Sequence, residues 1–343
     1  VKGFLILSAR HGLIPLFHRL KRTGHETHLV VWNSRYSTAW AGLVEPILKR
    51  DREGITQESL APAIEAAQRG DLIVITDVPM AAEWFSGAKL LYGPGPDHPT
   101  KPQDRVLFGG WFDGEHTTGL HLLVPDWGIW PGGMGPSGMG GLTLIRPNGG
   151  TLVEPITGAL NQVTERLKAA SYRGLVSFDV VEEPQTGELL LHGLQTGWPL
   201  LHTAAFLAEL GGLNSLLLAV IAPRLERRFV TVLPVSAPPW PNQRQGERRP
   251  PVEITGLSPA QVGQCFWYDI TIAPQEKKLF TAGHDGLIAV ATGSGDVSPA
   301  LARGRALGLA SRLQVPEKQF RPDVGLQVDV VLATLEERWG VLV

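Results

Sequence analysis

Apolar residues open the chain as a short run, GFLIL at residues 3–7, which has the length of a buried strand rather than of a membrane span. A helical period follows in Leu13, Leu16, Phe17 and Leu20, Gly24 stops it, and THLVVW at 27–32 supplies a second apolar run. Strand, helix and strand in that order make a βαβ unit and predict a parallel sheet. LAPAIEAAQRG followed by DLIVITDV repeats the helix-to-strand step at 60–78, and AKLLYGPG adds a short strand closed by a Gly/Pro turn. Residues 1–94 therefore read as an open parallel α/β domain.

From residue 105 the pattern changes to alternating strands: RVLFGGWFDGEHTTGLHLLVPDWG, then a glycine-rich loop, then GLTLIRPNGG. A helix is expected over about 154–170, with Ile156, Leu160, Val163 and Leu167 on one face, followed by a hairpin joined through EEPQTGE. LLHTAAFLAELGGLNSLLLAVIAPRLER reads as a largely buried helical stretch. Residues 95–228 thus form an expected α+β unit. Residues 229–343 read as a smaller β-rich unit with a helix near 297–313 and an extra terminal segment, VDVVLATLEERWGVLV. The proline-rich stretch 237–251 is a long loop inside that unit, and no fixed repeat runs through the chain. The overall expectation is α/β plus α+β, in three parts.

Charge narrows the function classes. With 31 basic and 33 acidic residues, a net charge of −2 gives no electrostatic reason to expect a nucleic acid or an anionic membrane as partner. The single cysteine, Cys265, excludes an intramolecular disulfide framework and a cysteine-based zinc cluster, and it suits a reducing compartment. No stretch reaches the ~18 apolar residues of a membrane span and no signal-peptide pattern is present, so the cytoplasm is the expected location.

Two places invite a ligand on chemical grounds alone. WPGGMGPSGMGG at 130–141 carries no charge and is half glycine. Such a loop lets backbone N–H groups approach an anion closely, which makes Gly135, Ser137, Gly138 and Gly140 candidate ligand-binding positions; a plain connection between strands is the competing reading. Arg10 and His11 follow the first strand, where open α/β sheets bind ligands, and are candidates for a phosphate contact or an ordinary exposed pair.

The order of motifs resembles phosphoribosylamine-glycine ligase, an ATP-grasp enzyme. FDGEHTTGLHLLV, GPSGMGG, EPITGAL with YRGLVSFDVV, VTVLPVSAPPWP, EITGL, LFTAGHDGLIAVATGSGD and FRPDVG follow one another in that family's order between residues 112 and 325. SARHGL at 8–13 falls where the family has a phosphate-contacting turn. The resemblance implies an ATP-grasp fold and, in an intact member, ATP-dependent joining of an amine to a carboxylate with magnesium.

Departures from the family pattern are equally specific. LLYGPGPDHPTKPQDRVLFGG runs almost directly from the first domain to the DGE strand, so nearly a whole ATP-grasp lobe and its phosphate-contacting lysines are missing, leaving a single lobe. Gly109 and Gly110 stand where the resemblance implies an acidic pair. The strand implied to carry magnesium ligands reads LLLHGLQTGWP, with His192, Leu194 and Thr196 at or beside those positions. Magnesium needs hard oxygen ligands, which imidazole and an aliphatic chain do not supply.

Asp179 and Glu182 lie on the VSFDVVEE strand, and the resemblance gives Asp179 a place facing the old metal site. Asp179 with His192 and His202 would make an acid-base or transition-metal site, or three ordinary structural residues. Glu115 and His116 follow Gly114 in the retained turn, where a carboxylate can face a ligand. Asp179, His192 and Glu115 are thus the catalytic candidates, and no metal ligand is assigned. Trp111, Trp127 and Trp130 either stack on a flat ligand or fill space.

The favoured expectation is a ligase-like protein without ligase activity or cofactor that binds a small phosphorylated or carboxylate ligand, or a protein partner, a second copy included. The alternatives are an active ATP- and magnesium-dependent ligase with a rebuilt nucleotide site, and a structural subunit of an assembly.

Overall fold

The computed structural model describes residues 3–8, 13–22, 24–31, 57–76, 78, 83–85, 90–92, 106–126, 140–146, 156–183, 185–209, 228–238, 240, 249–273 and 278–339. Strand β1 (Gly3–Ser8) is buried along its whole length. Helix α1 (Ile14–Arg22) buries Ile14, Leu16, Phe17 and Leu20 and ends in Arg19, Lys21 and Arg22, whose charge suits a helix C-terminus. Gly24, at φ 85°, turns the chain into β2 (Glu26–Val31). Helix α2 (Ala61–Gln68) leads into β3 (Leu72–Thr76), and β4 (Leu90–Tyr92) completes a sheet of order β2-β1-β3-β4. Every pair in it is parallel, as the alternation of strand and helix predicts. Leu5, Leu7, Val30, Leu60, Ile64, Val74 and Phe85 form the core on one side.

The second part begins with β5 (Val106–Phe112), β6 (Thr117–Pro125) and β7 (Leu142–Ile145). Helix α3 (Thr157–Ala169) occupies the expected span and buries Ala159, Val163 and Leu167. The hairpin β8 (Gly174–Glu182) and β9 (Leu189–Thr196) follows, then α4 (Leu200–Glu209) and β10 (Phe229–Ser236). After β11 (Glu253–Ile254) come α5 (Pro259–Val262), β12 (Cys265–Trp267), β13 (Ile270–Ala273), β14 (Lys278–Thr281) and β15 (Leu287–Gly295). Helices α6 (Pro299–Arg312) and α7 (Val328–Trp339) close the chain, the latter falling in the terminal segment. An eight-stranded sheet runs β12-β15-β10-β7-β6-β5-β8-β9, and β11, β14 and β13 form a three-stranded one.

Local chemistry explains two tight spots. Between β14 and β15 the chain turns through Gly283 and Gly286, both at positive φ. The buried Asp269 fixes that turn, one carboxylate oxygen accepting from the backbone N–H groups of His284, Asp285 and Gly286 at 2.8, 3.0 and 2.9 Å. In the second spot, a Cβ on Gly293 would lie 2.2 Å from the Ala302 carbonyl oxygen, so glycine lets β15 and α6 approach backbone to backbone.

Contacts divide the chain into two discontinuous units. One comprises Val1–Gly93, Pro234–Ala291 and Gly308–Phe320, and the other Pro94–Leu233, Thr292–Leu307 and Arg321–Val343. The mixed α and β character expected from the sequence is present, with several sheets.

Candidate functional site

Strand register builds a polar row in the unit containing β5 to β9. Gln195 on β9 pairs with Ser177 on β8, Ser177 with Gly109 on β5, and Gly109 with His121 on β6. Directly paired residues of a pleated sheet point to the same face, so these four positions form one transverse line. The Ser177 hydroxyl donates to Gln195 Oε1 at 3.4 Å. Gly109 is the gap in the line: a Cβ there would meet His121 Nε2 at 2.2 Å and His202 Nε2 at 2.7 Å. Both imidazoles occupy the space that a side chain at 109 would take.

His121 and His202 are buried and joined Nε2 to Nε2 at 2.8 Å. His121 Nδ1 lies 2.8 Å from the Gly119 carbonyl oxygen. A carbonyl only accepts, so His121 carries its proton on Nδ1 and presents a bare Nε2; His202 must then donate from Nε2. The chain of donors ends at His202 Nδ1, a buried lone pair without a hydrogen-bond partner. Burial pushes His121 down to about 4, opposed by its bond to Gly119, and burial with His121 alongside pushes His202 well below its ordinary range. At neutral pH the pair is uncharged. Phe206 lies beside both imidazoles, its ring centroid 6.2 Å from that of His121 and 6.5 Å from that of His202, and it stacks on Trp111 at 5.9 Å, against which Trp198 tilts at 6.0 Å. Trp111 is therefore enclosed by other side chains in the core.

Asp179 is buried one row away, with Leu107 on one side and Gly193 on the other. Opposite it the register slips, two residues of β9 spanning one of β8, and His192 is the extra residue of that bulge. His192 is exposed, whereas His202 turns to His121. Among the described residues no group of three or more His, Cys, Asp or Glu side chains could hold a metal ion.

Glu115 lies in the turn between β5 and β6. One Asp113 carboxylate oxygen accepts the N–H groups of Glu115 and His116, both at 2.8 Å. Asp113 titrates below its ordinary range: partial burial raises it, but the His116 and Glu115 N–H bonds outweigh that. The Glu115 carboxylate points outward and pairs with Lys168 at 3.0 Å.

Of the glycine loop, Gly140 and Gly141 are described, and both are buried. The Gly141 carbonyl accepts from Asp126 N–H at 2.9 Å, closing the base of the loop. A Cβ on Gly141 would meet Val324 at 2.1 Å, so at this end the close approach is to the FRPDVG segment. Asp126 also accepts from Gly325 N–H at 2.8 Å, and burial raises its carboxyl above the usual range against the pull of that bond and of Arg321. Gly135, Ser137, Gly138, Trp127 and Trp130 lie outside the described residues.

Arg10 and His11 also lie outside them, but the strand that precedes them is described. In the order β2-β1-β3-β4 the chain steps from β1 to one side and returns to the other, so the switch point lies at the carboxyl ends of β1 and β3. Both strands end there in a buried hydroxyl, Ser8 and Thr76, and the Thr76 hydroxyl accepts from Val78 N–H at 2.9 Å.

No family model matches the sequence, and no curated protein matches it. The fold is similar to the crystal structure of phosphoribosylamine-glycine ligase from Thermotoga maritima, with a TM-score of 0.56 and 15% identity over 94% of this chain and 100% of that one. It is also similar to Kluyveromyces lactis urea carboxylase, with a TM-score of 0.57 and 11% identity over 99% of this chain and 32% of that one. The biotin carboxylase domain of a single-chain bacterial carboxylase gives a TM-score of 0.50 at 11% identity. At such identities the likeness is one of fold, and the family resemblance drawn from the sequence motifs has its counterpart there.

Proposed function

We propose that this chain is a phosphoribosylamine-glycine ligase-like protein that has lost ATP-dependent ligation and binds a small phosphorylated or carboxylate compound. The observation that carries this reading is the row Gln195, Ser177, Gly109, His121, which holds no formal charge and is completed by a second neutral imidazole. Acyl phosphate formation depends on cations positioned around the transferring phosphoryl group and on carboxylates that hold magnesium. Asp179 is the one carboxylate in the neighbouring row, and glycine stands opposite it on β9. That donor set does not fit a magnesium-nucleotide site, and no catalytic step is assigned through one.

The binding half of the proposal rests on the parallel sheet. Arg10 and His11 come two and three residues after β1 in the sequence, and the carboxyl ends of β1 and β3, where the strand order switches, are the edge at which open α/β sheets bind ligands. Thermal-shift and calorimetric titration with ribose 5-phosphate, glycine, ATP and ADP, each with and without magnesium, tests both halves. A ribosyl phosphate that binds, with the signal lost in Arg10→Ala, supports the reading. Magnesium-dependent ATP binding overturns it and favours an active ligase.

A further inference from the structure

We infer that the His121–His202 pair is an acid-sensitive latch that holds α4 against the β5–β6 face and releases it when the pair takes up protons. The latch is independent of any ligand. It joins a strand residue to a helix residue through a single 2.8 Å bond between fully enclosed nitrogens, and Gly109 leaves the space in which they meet.

Proton bookkeeping gives the pair two unequal steps. The first proton has an open seat on His202 Nδ1, so His202 becomes an imidazolium that still donates from Nε2 to His121 Nε2. The hydrogen bond survives, but a positive charge is now buried. A second proton has only His121 Nε2 to bind, and then two N–H groups face each other at a distance that accommodates one. The bond must break.

Nothing described nearby offers the cation a partner. Strand β5 carries no titratable residue, β6 carries His121 alone, and β7 carries none. On α4 the other titratable group is Glu209, seven residues from His202 and so roughly 10 Å along the helix axis. Asp179 on β8 lies a row away, and Gln195 on β9 is neutral. The depressed titration of both imidazoles agrees with this arrangement.

Imidazole ¹⁵N NMR of the intact protein tests the geometry without a variant. His121 is expected as the Nδ1–H tautomer and His202 as the Nε2–H tautomer, neither titrating near the ordinary histidine value. Hydrogen exchange corrected for intrinsic rate then tests the release: from pH 7 to pH 4.5, protection of 200–209 falls at least tenfold while that of 157–169 holds. The double variant His121→Leu, His202→Leu removes both polar partners, and its α4 protection should not change over the same range. Ordinary titration of either imidazole, the opposite tautomers, or equal loss of protection in both helices would overturn the latch. If the variant does not fold, the wild-type tautomers and the contrast between the two helices still decide the matter.

Discussion

Two rows of side chains cross the same strands one residue apart and share almost nothing chemically. Leu194, Phe178, Phe108, Leu122, Ile145 and Phe229 follow one another in register across six strands, all apolar, with Phe108 and Phe178 stacked at 5.5 Å. Shifted by one position and therefore on the opposite face, the line reads Gln195, Ser177, Gly109, His121. The apolar row gains stability from area and packing, so its loss is felt at every pH. The polar row carries the Ser177–Gln195 hydrogen bond at one end and the bond between neutral imidazoles at the other, so its contribution changes with protonation and with the space above Gly109.

The largest effect should come from the apolar row. Phe178→Ala leaves a cavity beneath Phe108 and is expected to cost about 3–5 kcal/mol in urea unfolding, with little dependence on pH. Acidification should come next, and it acts on the other face. Burial holds both imidazoles of the pair below the ordinary 6.5, so the unfolded chain takes up protons before the folded one as the pH falls. The pair's contribution, on the order of 3 kcal/mol, is present above pH 6.5 and is lost as the pH falls toward 4. Unfolding measured across that window, with the double leucine variant as reference, should isolate this share.

Smaller substitutions sharpen the contrast. Gly109→Ala drives a methyl into both imidazoles and should cost about 2 kcal/mol while flattening the acid dependence. In Gly110→Ala the new Cβ meets the Thr117 methyl at 2.6 Å, a side chain that can rotate, so a cost of about 1 kcal/mol is expected with the acid dependence intact. Glu115→Gln, which removes an exposed partner of Lys168, should stay within about 0.5 kcal/mol of the parent by the same unfolding measurement.

The two rows also differ in how legible they are in the sequence. Apolar runs and the helical period locate β1, α1, β2, β3 and α3, because burial imposes a pattern that the chain must carry locally. Cross-strand neighbours leave no such local trace. The pairing of Gly109 with His121 is a matter of register, and the meeting of His121 with His202 spans 81 residues. In the sequence Gly109 reads as a missing acid and His202 as a companion of Asp179 and His192 in an acid-base or metal site, and nothing singles out His121. A signal was present all the same: His121 stands in LHLLV and His202 in LLHTAAF, each a lone titratable side chain among apolar neighbours. Two buried imidazoles need partners, and a glycine on a neighbouring strand offers the room.

The most direct measurement of the central claim is turnover. Given ATP, magnesium, glycine and phosphoribosylamine, the purified chain should release no ADP or phosphate above the uncatalysed background, because the row beside Asp179 supplies neither a second carboxylate nor a cation. Release of ADP in step with formation of the glycine amide, at ordinary enzyme rates and abolished by chelation, would contradict it.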